Sequence, residues 1–480
     1  MGLKEDAKFA RFITMGAIGA ERVASDLESR GHRMIELERY AMANKIWTTK
    51  VKRLRMADLL CVTCGRRFEA KAKSKLEVKL SDSKQEGRGW SVGMRNDDIF
   101  AFLPVVLDAD NLPVAIGDPL YLATASMRLI APKQGQLKSA TDGSERDVFW
   151  PITVAKRAGV VTRVQSGKIT IQSPGAKSST LGRPTDRPLV RVGDQVTIGT
   201  LLGSTVAPTT NLECPGASWI LSDAVGCDDE VEVFAAVKAA GILKVEDLTE
   251  AVRSIAHDDG RDMRLRVEAL GALARLGDLE AVGRLADLEE ADGDVAMQME
   301  RVLVLSELIG SADAAEALRR IAIDVDWSDE IRAAAVWGLG ASWHDHFGYG
   351  WSLAFDDSEK VRRHAQASLG SPTHADLPDL IGALKDDDRA PLAAAILARS
   401  GFVAELVSAL SDDELRPWAL QALGQIEPAA VVDQLDVADR VVLDALWRRN
   451  LQDTHNEPTN LTELQFLAGQ SLRAAGPSFR

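Results

Sequence analysis

The sequence predicts a multidomain α+β protein with a mixed α/β segment at 1–110, a β-rich module at 111–228 and an all-α array at 229–480. Three observations support this division. Alternating apolar runs meet at a tight turn in the first segment, and the second is rich in Gly, Pro, Thr and Val. In the third, a helical motif recurs every 26–33 residues. With 46% hydrophobic and 27% charged residues, the chain can bury full-sized cores.

The first segment combines one helical pattern with several strand patterns. Apolar residues near helical spacing predict a helix over 17–31, and Gly31 is a suitable stop for it. Four further runs predict strands: 33–39, 58–63, 67–73 and 99–107. The tight turn at 64–66 joins the second and third runs, so we expect a β-hairpin there.

Two acids and a lysine on this hairpin form the most informative pattern. Glu69 and Lys71 are two residues apart on one strand, so their side chains share a face. Asp58 begins the partner strand and faces Glu69 if the register allows. Carboxylate oxygens suit Mg²⁺, which polarises a phosphate, and an ammonium stabilises the developing charge. The hairpin therefore predicts a site for metal-dependent phosphodiester hydrolysis. The alternative is a solvated strand face whose alternating charges, Glu69, Lys71, Lys73 and Lys75, carry no chemistry.

The run ADLLCVTCGRRFEAK at 57–71 resembles the motif of the PD-(D/E)XK nuclease superfamily, with Ala57 at the proline position. Upstream, GAERVASDLESRGHRMIELER at 19–39 resembles the first helix and strand of Holliday-junction-resolvase-like members. The resemblance implies a restriction-endonuclease-like fold and an endonuclease that uses Mg²⁺ or Mn²⁺. It also implies that Glu21, Asp58 and Glu69 hold the metal, with Lys71 near the attacking water.

Charge is unevenly distributed and favours a nucleic-acid partner for the first segment. The whole chain carries −14, but residues 1–110 carry 21 basic and 16 acidic side chains, a net +5. A basic run with one aromatic residue precedes the hairpin, and it predicts phosphate contacts with base stacking on Trp47. The candidates are Lys45, Trp47, Lys50, Lys52, Arg53, Arg55, Lys73 and Lys75. A solvated basic loop with Trp47 in the core is the alternative. DNA is expected over RNA because most enzymes of the resembled superfamily cut DNA.

Four cysteines predict either a metal site or buried thiols. Cys61 and Cys64, followed by Gly65, have the spacing of half a zinc ribbon. Together with Cys214 and Cys227 they could close one tetrahedral structural Zn²⁺ site that ties the β-module to the hairpin. Buried free thiols account for the same residues equally well, and redox chemistry is a third option. Four cysteines in 480 residues argue against a disulfide framework.

The middle segment resembles a biotinyl/lipoyl-type β-barrel in two stretches, GVVTRVQSGKITIQ at 159–172 and LVRVGDQVTIGTLLG at 189–203. No lysine flanked by Met or Ala marks a carrier site. The resemblance therefore implies a barrel-sandwich-like architectural module that carries neither biotin nor lipoate.

The last segment contains six related Ala/Leu-rich motifs that resemble HEAT repeats. They begin at Leu265, Met297, Glu330, Lys360, Asp388 and Glu414. The resemblance implies an α-solenoid. Residues 231–480 carry 24 basic and 44 acidic side chains, a net −20, so we expect a protein partner or self-association there. Arg266, Arg332 and Arg362 recur at similar repeat positions and predict either a surface ridge or, more simply, helix capping and salt bridges between repeats.

These patterns predict a cytoplasmic DNA endonuclease, because the chain shows no apolar run long enough to span a membrane and no secretory signal. Antiviral defence or DNA repair would use such an enzyme. Two alternatives remain open: a non-catalytic HEAT-repeat scaffold with a nucleic-acid-binding N-terminal domain, and an adaptor whose N-terminal part is a zinc-stabilised interaction module.

Overall fold

The computed structural model shows a mixed α/β protein with helices dominating its C-terminal half. It describes residues 7–37, 47, 49, 56–73, 77–82, 90–107, 113–134, 137–140, 143–149, 152–175, 179–180, 187–291, 294–308, 310–340, 347–369 and 372–453. The described chain forms two compact units, unit one up to Ala317 and unit two from Leu318. The segment boundaries expected at 110 and 228 both fall inside unit one.

The strands all belong to unit one. They are β1 (Met34–Glu36), β2 (Leu59–Cys61), β3 (Arg67–Lys73), β4 (Glu77–Asp82), β5 (Ile99–Leu107), β6 (Pro113–Ala115), β7 (Leu120–Ala123), β8 (Leu137–Ala140), β9 (Gly143–Phe149), β10 (Ile152–Val154), β11 (Gly159–Gln165), β12 (Lys168–Gln172), β13 (Ser179–Thr180), β14 (Arg187–Pro188), β15 (Gln195–Val196) and β16 (Leu201–Ser204).

The helices of unit one are α1 (Ala7–Glu28), α2 (Thr124–Gln134), α3 (Leu221–Val225), α4 (Glu230–Leu243), α5 (Thr249–His257), α6 (Met263–Arg275), α7 (Leu279–Ala286) and α8 (Val295–Glu307). Helix α9 (Ala312–Ile323) contains the boundary between the units. Unit two continues with α10 (Asp329–Leu339), α11 (Phe347–Leu353), α12 (Glu359–Ser368), α13 (Leu377–Ala383), α14 (Ala390–Ser400), α15 (Val403–Ala409), α16 (Arg416–Leu423), α17 (Pro428–Val431) and α18 (Val437–Asp453).

A curled mixed sheet is the centre of unit one. Its strand order is β1-β2-β3-β5-β6, and β7 also pairs with β5. All neighbouring pairs are antiparallel except β3 and β5, which run parallel. The predicted hairpin is confirmed, since β2 and β3 pair with Leu59 opposite Phe68 and β3 spans the predicted 67–73. The predicted strand at 99–107 is β5.

Helix α1 packs on one face of this sheet through small and apolar residues. Val23 and Leu27 are fully buried, as the helical spacing predicts. A Cβ placed on Gly19 would lie closer than 3.0 Å to the Cβ of Ala72 on β3, so the two backbones meet without an intervening side chain. Gly31 follows the helix with φ +83°, the left-handed conformation that ends helices and favours glycine.

The β-rich character of the middle segment is confirmed by two small sheets. One has the order β10-β16-β14 and the other β13-β12-β11-β15. Alternate residues of β11 and β12 face a buried cluster that includes Val161, Ile169, Ile171 and Leu202. This cluster gives the module an apolar core of its own, while Val154 of β10 is buried in the core of the mixed sheet.

The six repeated motifs all form helices, α6, α8, α10, α12, α14 and α16. In unit one an aspartate caps several helix starts, as Asp262 does by accepting the backbone N–H of Arg264 at 2.9 Å. Unit two buries Leu380, Leu397 and Leu443 in one apolar cluster. None of the described helices is long and apolar enough to cross a membrane.

The recurring arginines cap helices, as the simpler of the two predictions stated. Nε of Arg266 donates to the carbonyl oxygen of Ala256 at 3.4 Å, at the end of α5. In unit two, Nε of Arg332 donates to the carbonyl oxygen of Ala322 at 3.0 Å, and its guanidinium also pairs with Asp356. These contacts satisfy carbonyl groups that have no partner within their own helix.

Candidate metal centre and hairpin site

A cluster of one histidine and three cysteines lies beside the β2–β3 hairpin. The ligand atoms of His32, Cys61, Cys64 and Cys214 all lie within 4.8 Å of one another. It is the only such group of three or more His, Cys, Asp or Glu side chains in the described part of the chain. Cys61 and His32 are buried, whereas Cys64 and Cys214 are partly exposed.

Local structure explains how residues far apart in sequence meet here. His32 lies in the turn after α1, just before β1. Strand β1 pairs with β2, and Met34 lies opposite Cys61. The tight turn after β2 brings Cys64 back, because the N–H of Gly65 donates to the carbonyl oxygen of Cys61 at 2.8 Å. Cys214 lies near the end of the β-module in sequence, and its N–H donates to the carbonyl oxygen of Arg30 at 3.1 Å.

The two ring nitrogens of His32 have different partners. Nε2 lies 2.8 Å from the carbonyl oxygen of Leu212, which can only accept, so this nitrogen carries the proton. Nδ1 then presents its lone pair, and it lies 3.7 Å from Sγ of Cys64. Histidines that bind metals in proteins are held in the same way, with the second nitrogen donating to a carbonyl or carboxylate oxygen.

The electrostatics of the CxxC pair favour a thiolate. A hydrogen bond from Cys64 lowers the pKa of Cys61 to about 3. The same bond to Cys61, with burial, raises the pKa of Cys64. The lowered pKa of Cys61 favours its thiolate, and metals bind thiolates and neutral imidazole.

The cluster contains three of the four predicted zinc ligands and corrects the fourth. Sγ of Cys227 makes a contact of 3.7 Å with the carbonyl oxygen of Asp229, near the start of α4, and takes no part in the cluster. His32 supplies the fourth ligand atom instead. The sequence held one signal for it, since His32 follows the Gly31 stop and lies two residues before the strand that pairs with the CxxC strand. The register needed to use that signal was not known from the sequence.

A segment at 211–219 lies across the hairpin turn next to the cluster. Nη1 of Arg66 donates to the carbonyl oxygen of Asn211 at 3.2 Å, and the N–H of Ser218 donates to the carbonyl oxygen of Thr63 at 3.2 Å. The ring of Trp219 covers Gly65, where an added Cβ would lie 2.7 Å from Cγ of the indole. The sulfur ligand from Cys214 therefore belongs to a segment that already follows the turn closely.

The predicted catalytic hairpin brings Asp58, Glu69 and Lys71 close together. Oδ2 of Asp58 accepts the backbone N–H of Ala70 at 2.7 Å, which fixes its carboxylate beside β3. Nζ of Lys71 contacts Oε1 of Glu69, so these two side chains do share a face. Their side chains are 26% and 16% exposed, so solvent reaches the pair but screens it less than on an open surface.

An apolar cluster borders this ion pair. In the parallel β3–β5 ladder, Glu69 lies opposite Phe100 and Lys71 lies opposite Phe102. Both phenylalanines are buried in a cluster that also contains Val154 from β10. The face of the sheet that carries the ion pair is therefore the face on which the β-module packs.

Glu21 does not join the hairpin acids. It is exposed on α1, while Gly19, two residues away, faces Ala72 on β3. Two residues in an α-helix differ by about 200° in direction, so Glu21 projects from the side of α1 opposite this contact. Among the described residues, no group of three acids that includes Glu21 could hold an ion. We therefore assign Glu21 no role at the hairpin site.

The nucleic-acid candidates fall into two groups. Trp47 is only 3% exposed, so its ring is part of the core and is not open to a stacking base, as the alternative interpretation expects. Lys73 is exposed at the end of β3. The remaining candidates lie outside the described residues: Lys45, Lys50, Lys52, Arg53, Arg55 and Lys75.

Comparison with known proteins identifies no family. No family model matches the chain. No curated protein matches it either. Among solved structures, human deoxyhypusine hydroxylase in complex with glycerol is similar over 49% of this chain and 99% of that chain, at 18% identity and a TM-score of 0.22. That score is too low to support any inference about fold or function.

Proposed function

We propose that unit one is a divalent-metal-dependent nuclease that hydrolyses phosphodiester bonds of DNA at the β2–β3 hairpin. The observation that carries this proposal is the placement of the Asp58 carboxylate against the backbone of Ala70, between the neighbouring residues Glu69 and Lys71. Two carboxylates and an ammonium are thereby collected within one short hairpin.

The side chains present suit a hard cation and a phosphate. Asp58 and Glu69 would hold Mg²⁺, because their oxygens are the ligands this ion prefers. When bound, the ion would polarise the scissile phosphate. The bond from Ala70 to Asp58 orients one carboxylate in advance, and the Phe100 and Phe102 cluster excludes water from one side of the pair. Lys71, paired with Glu69, would donate to the charge that develops on the phosphate oxygens.

Cleavage of plasmid DNA with Mg²⁺ tests this proposal. We expect cleavage that stops on addition of EDTA. Lys71→Ala should reduce the rate by about 10²–10³, the usual cost of losing one stabilising donor. Glu69→Gln and Asp58→Asn should reduce it at least as strongly. Asp97→Asn is the matched control, because its side chain is 78% exposed and lies outside the hairpin. Cleavage that survives Glu69→Gln would refute the site.

We further propose that the His32 and cysteine cluster holds a structural Zn²⁺. Four protein ligands, one nitrogen and three sulfurs, are the donor set of closed tetrahedral zinc sites. Zn–S and Zn–N bonds of about 2.3 and 2.1 Å imply ligand atoms about 3.5–3.8 Å apart around a tetrahedral ion. The separation of 3.7 Å between Cys64 and His32 agrees with that spacing. Zinc at this site would stabilise the turn between β2 and β3, whereas Asp58 lies at the other end of the hairpin.

The acidic helical array is proposed as a protein-binding or self-association scaffold. Its net charge of −20 over residues 231–480 repels a phosphate backbone, so DNA would be bound elsewhere in the chain.

A further inference from the structure

The part of the β-module at 152–204 is basic in a chain that is acidic overall. Between residues 152 and 204, the described ionisable side chains comprise six basic residues and one acid, Asp194. The basic residues are Lys156, Arg157, Arg163, Lys168, Arg187 and Arg191. All six are exposed. The whole chain carries −14, so this part of the module has the opposite sign of charge from the chain as a whole.

These charges are not neutralised by neighbouring acids. Within the described part of the chain, none of the six forms a salt bridge. Arg163 donates to the uncharged side chain of Gln165 at 2.8 Å, and it keeps its full positive charge. Exposed cations without a carboxylate partner leave a positive potential at the surface, where an anionic partner gains most.

The module packs on the face of the mixed sheet that carries Glu69 and Lys71. Val154 of β10 is buried with Phe100 and Phe102, the ladder neighbours of Glu69 and Lys71. Lys156 and Arg157 follow Val154 by two and three residues, so their backbone lies within about 11 Å of it. The basic loop at 156–158 therefore begins within about 11 Å of a residue that packs on this face of the sheet.

A groove runs along the same module. It has a volume of about 630 Å³, and its lining is uncharged and polar or apolar, with Ser173, Thr197 and Thr200 among the residues that form it. Two of its lining residues have charged neighbours in sequence, Ala158 beside Arg157 and Gln195 beside Asp194. Hydroxyl and amide side chains of the lining can donate to the oxygens of a sugar–phosphate chain, and the exposed cations of the same module suit its negative charge.

We propose that the β-module is a DNA-backbone-binding surface that holds the duplex against the hairpin. Residues 152–204 include no Phe, Tyr or Trp, so the module has no ring on which a base could stack. Its contacts would be made to phosphates, without base recognition, and its affinity would fall steeply with salt. The inference deepens the proposed nuclease function by locating its substrate-binding surface, and it can be measured without any cleavage.

Fluorescence anisotropy of the full-length protein with a short labelled DNA duplex in EDTA tests the proposal. Two double variants reverse charge at different places, Lys156→Glu with Arg157→Glu in the loop and Arg163→Glu with Lys168→Glu on the hairpin β11–β12. The matched control, Arg320→Glu with Arg399→Glu, makes the same charge change at exposed positions of the helical repeats. Circular dichroism serves as the control that each variant is folded.

We expect both module variants to bind at least tenfold more weakly than the control. Each lost phosphate contact should also make the slope of log K against log salt less negative by about 0.9. Equal affinity of the module variants and the control would overturn the inference. If the module variants lose binding while the unaltered protein fails to cut DNA in Mg²⁺, the binding surface stands and the nuclease proposal fails. Cleavage that is unaffected by the module variants at low DNA concentration would count against this surface alone.

Discussion

Nε2 of His32 lies 2.8 Å from the carbonyl oxygen of Leu212, and this bond turns Nδ1 towards the sulfur of Cys64. The carbonyl group belongs to the segment that also supplies Cys214. One backbone segment therefore both orients the imidazole and contributes a thiol, so the geometry of the cluster depends on contacts across 180 residues of sequence.

The metal site gives the first prediction. Purified protein should contain one equivalent of zinc, measured by elemental mass spectrometry. His32→Ala should weaken zinc binding by more than the about 10–100-fold that loss of an outer-shell partner costs, because a direct ligand is lost. Cys227→Ser should keep full zinc content, since Cys227 lies outside the cluster. Equal loss in both variants would show that the cluster is not the binding site.

The close approach of α1 to β3 gives the second prediction. Gly19→Ala should destabilise unit one, because the new Cβ would overlap the Cβ of Ala72 and force the helix away from the sheet. Gly16→Ala in the same helix meets nothing within 4 Å and should stabilise the protein by up to about 1 kcal/mol through helix propensity. Urea denaturation of the two variants measures the contrast. Similar free energies of unfolding would contradict the packing.

A buried ion pair gives the third prediction. Arg67 and Asp98 are each 1% exposed, and Nη2 of Arg67 lies 2.9 Å from Oδ2 of Asp98. Asp98→Ala would leave the guanidinium buried without its counter-charge, so it should lower the free energy of unfolding by about 3–5 kcal/mol.

The exposed pair of Arg253 and Glu250 is the matched comparison for that ion pair. Glu250 is 85% exposed, so Glu250→Ala should change the free energy of unfolding by less than about 1 kcal/mol. Chemical denaturation measures both variants, and comparable losses would argue that the Arg67 pair is solvated.

A buried histidine gives a pH dependence for unit two. Burial, with the nearby charges of Arg363 and Lys360, lowers the pKa of His364 from 6.5 to about 4. Below pH 6.5 the unfolded chain takes up a proton that the folded unit does not bind until about pH 4. The contribution of His364 to stability should therefore be constant above pH 6.5 and fall by a few kcal/mol towards pH 4.

Melting curves of the wild type and His364→Gln between pH 7 and pH 4 check this prediction. The variant side chain does not titrate in this range, so the wild type should lose stability relative to it on acidification. A constant difference between the two proteins would mean that His364 has the same pKa in the folded and the unfolded chain, which would contradict the lowered pKa.

The parts of the site that could be predicted are those whose residues lie close together in sequence. The strands at 67–73 and 99–107 and the turn at 64–66 were predicted correctly, because alternation and turn residues act over a few positions. The same local signals identified the CxxC pair. They could not exclude Cys227, since nothing in the sequence shows which cysteine near the end of the β-module lies against the hairpin.

The sequence by itself determined the local elements: the hairpin with Asp58, Glu69 and Lys71, the β-rich middle and six repeated helices. Only the tertiary structure decided that His32 joins the cysteines, that Trp47 is buried, and that Glu21 faces away from β3. Hydrogen bonding and side-chain periodicity are set by near neighbours along the chain. The convergence of distant side chains instead depends on strand register and on which faces pack together, and these are decided by the burial of the whole core.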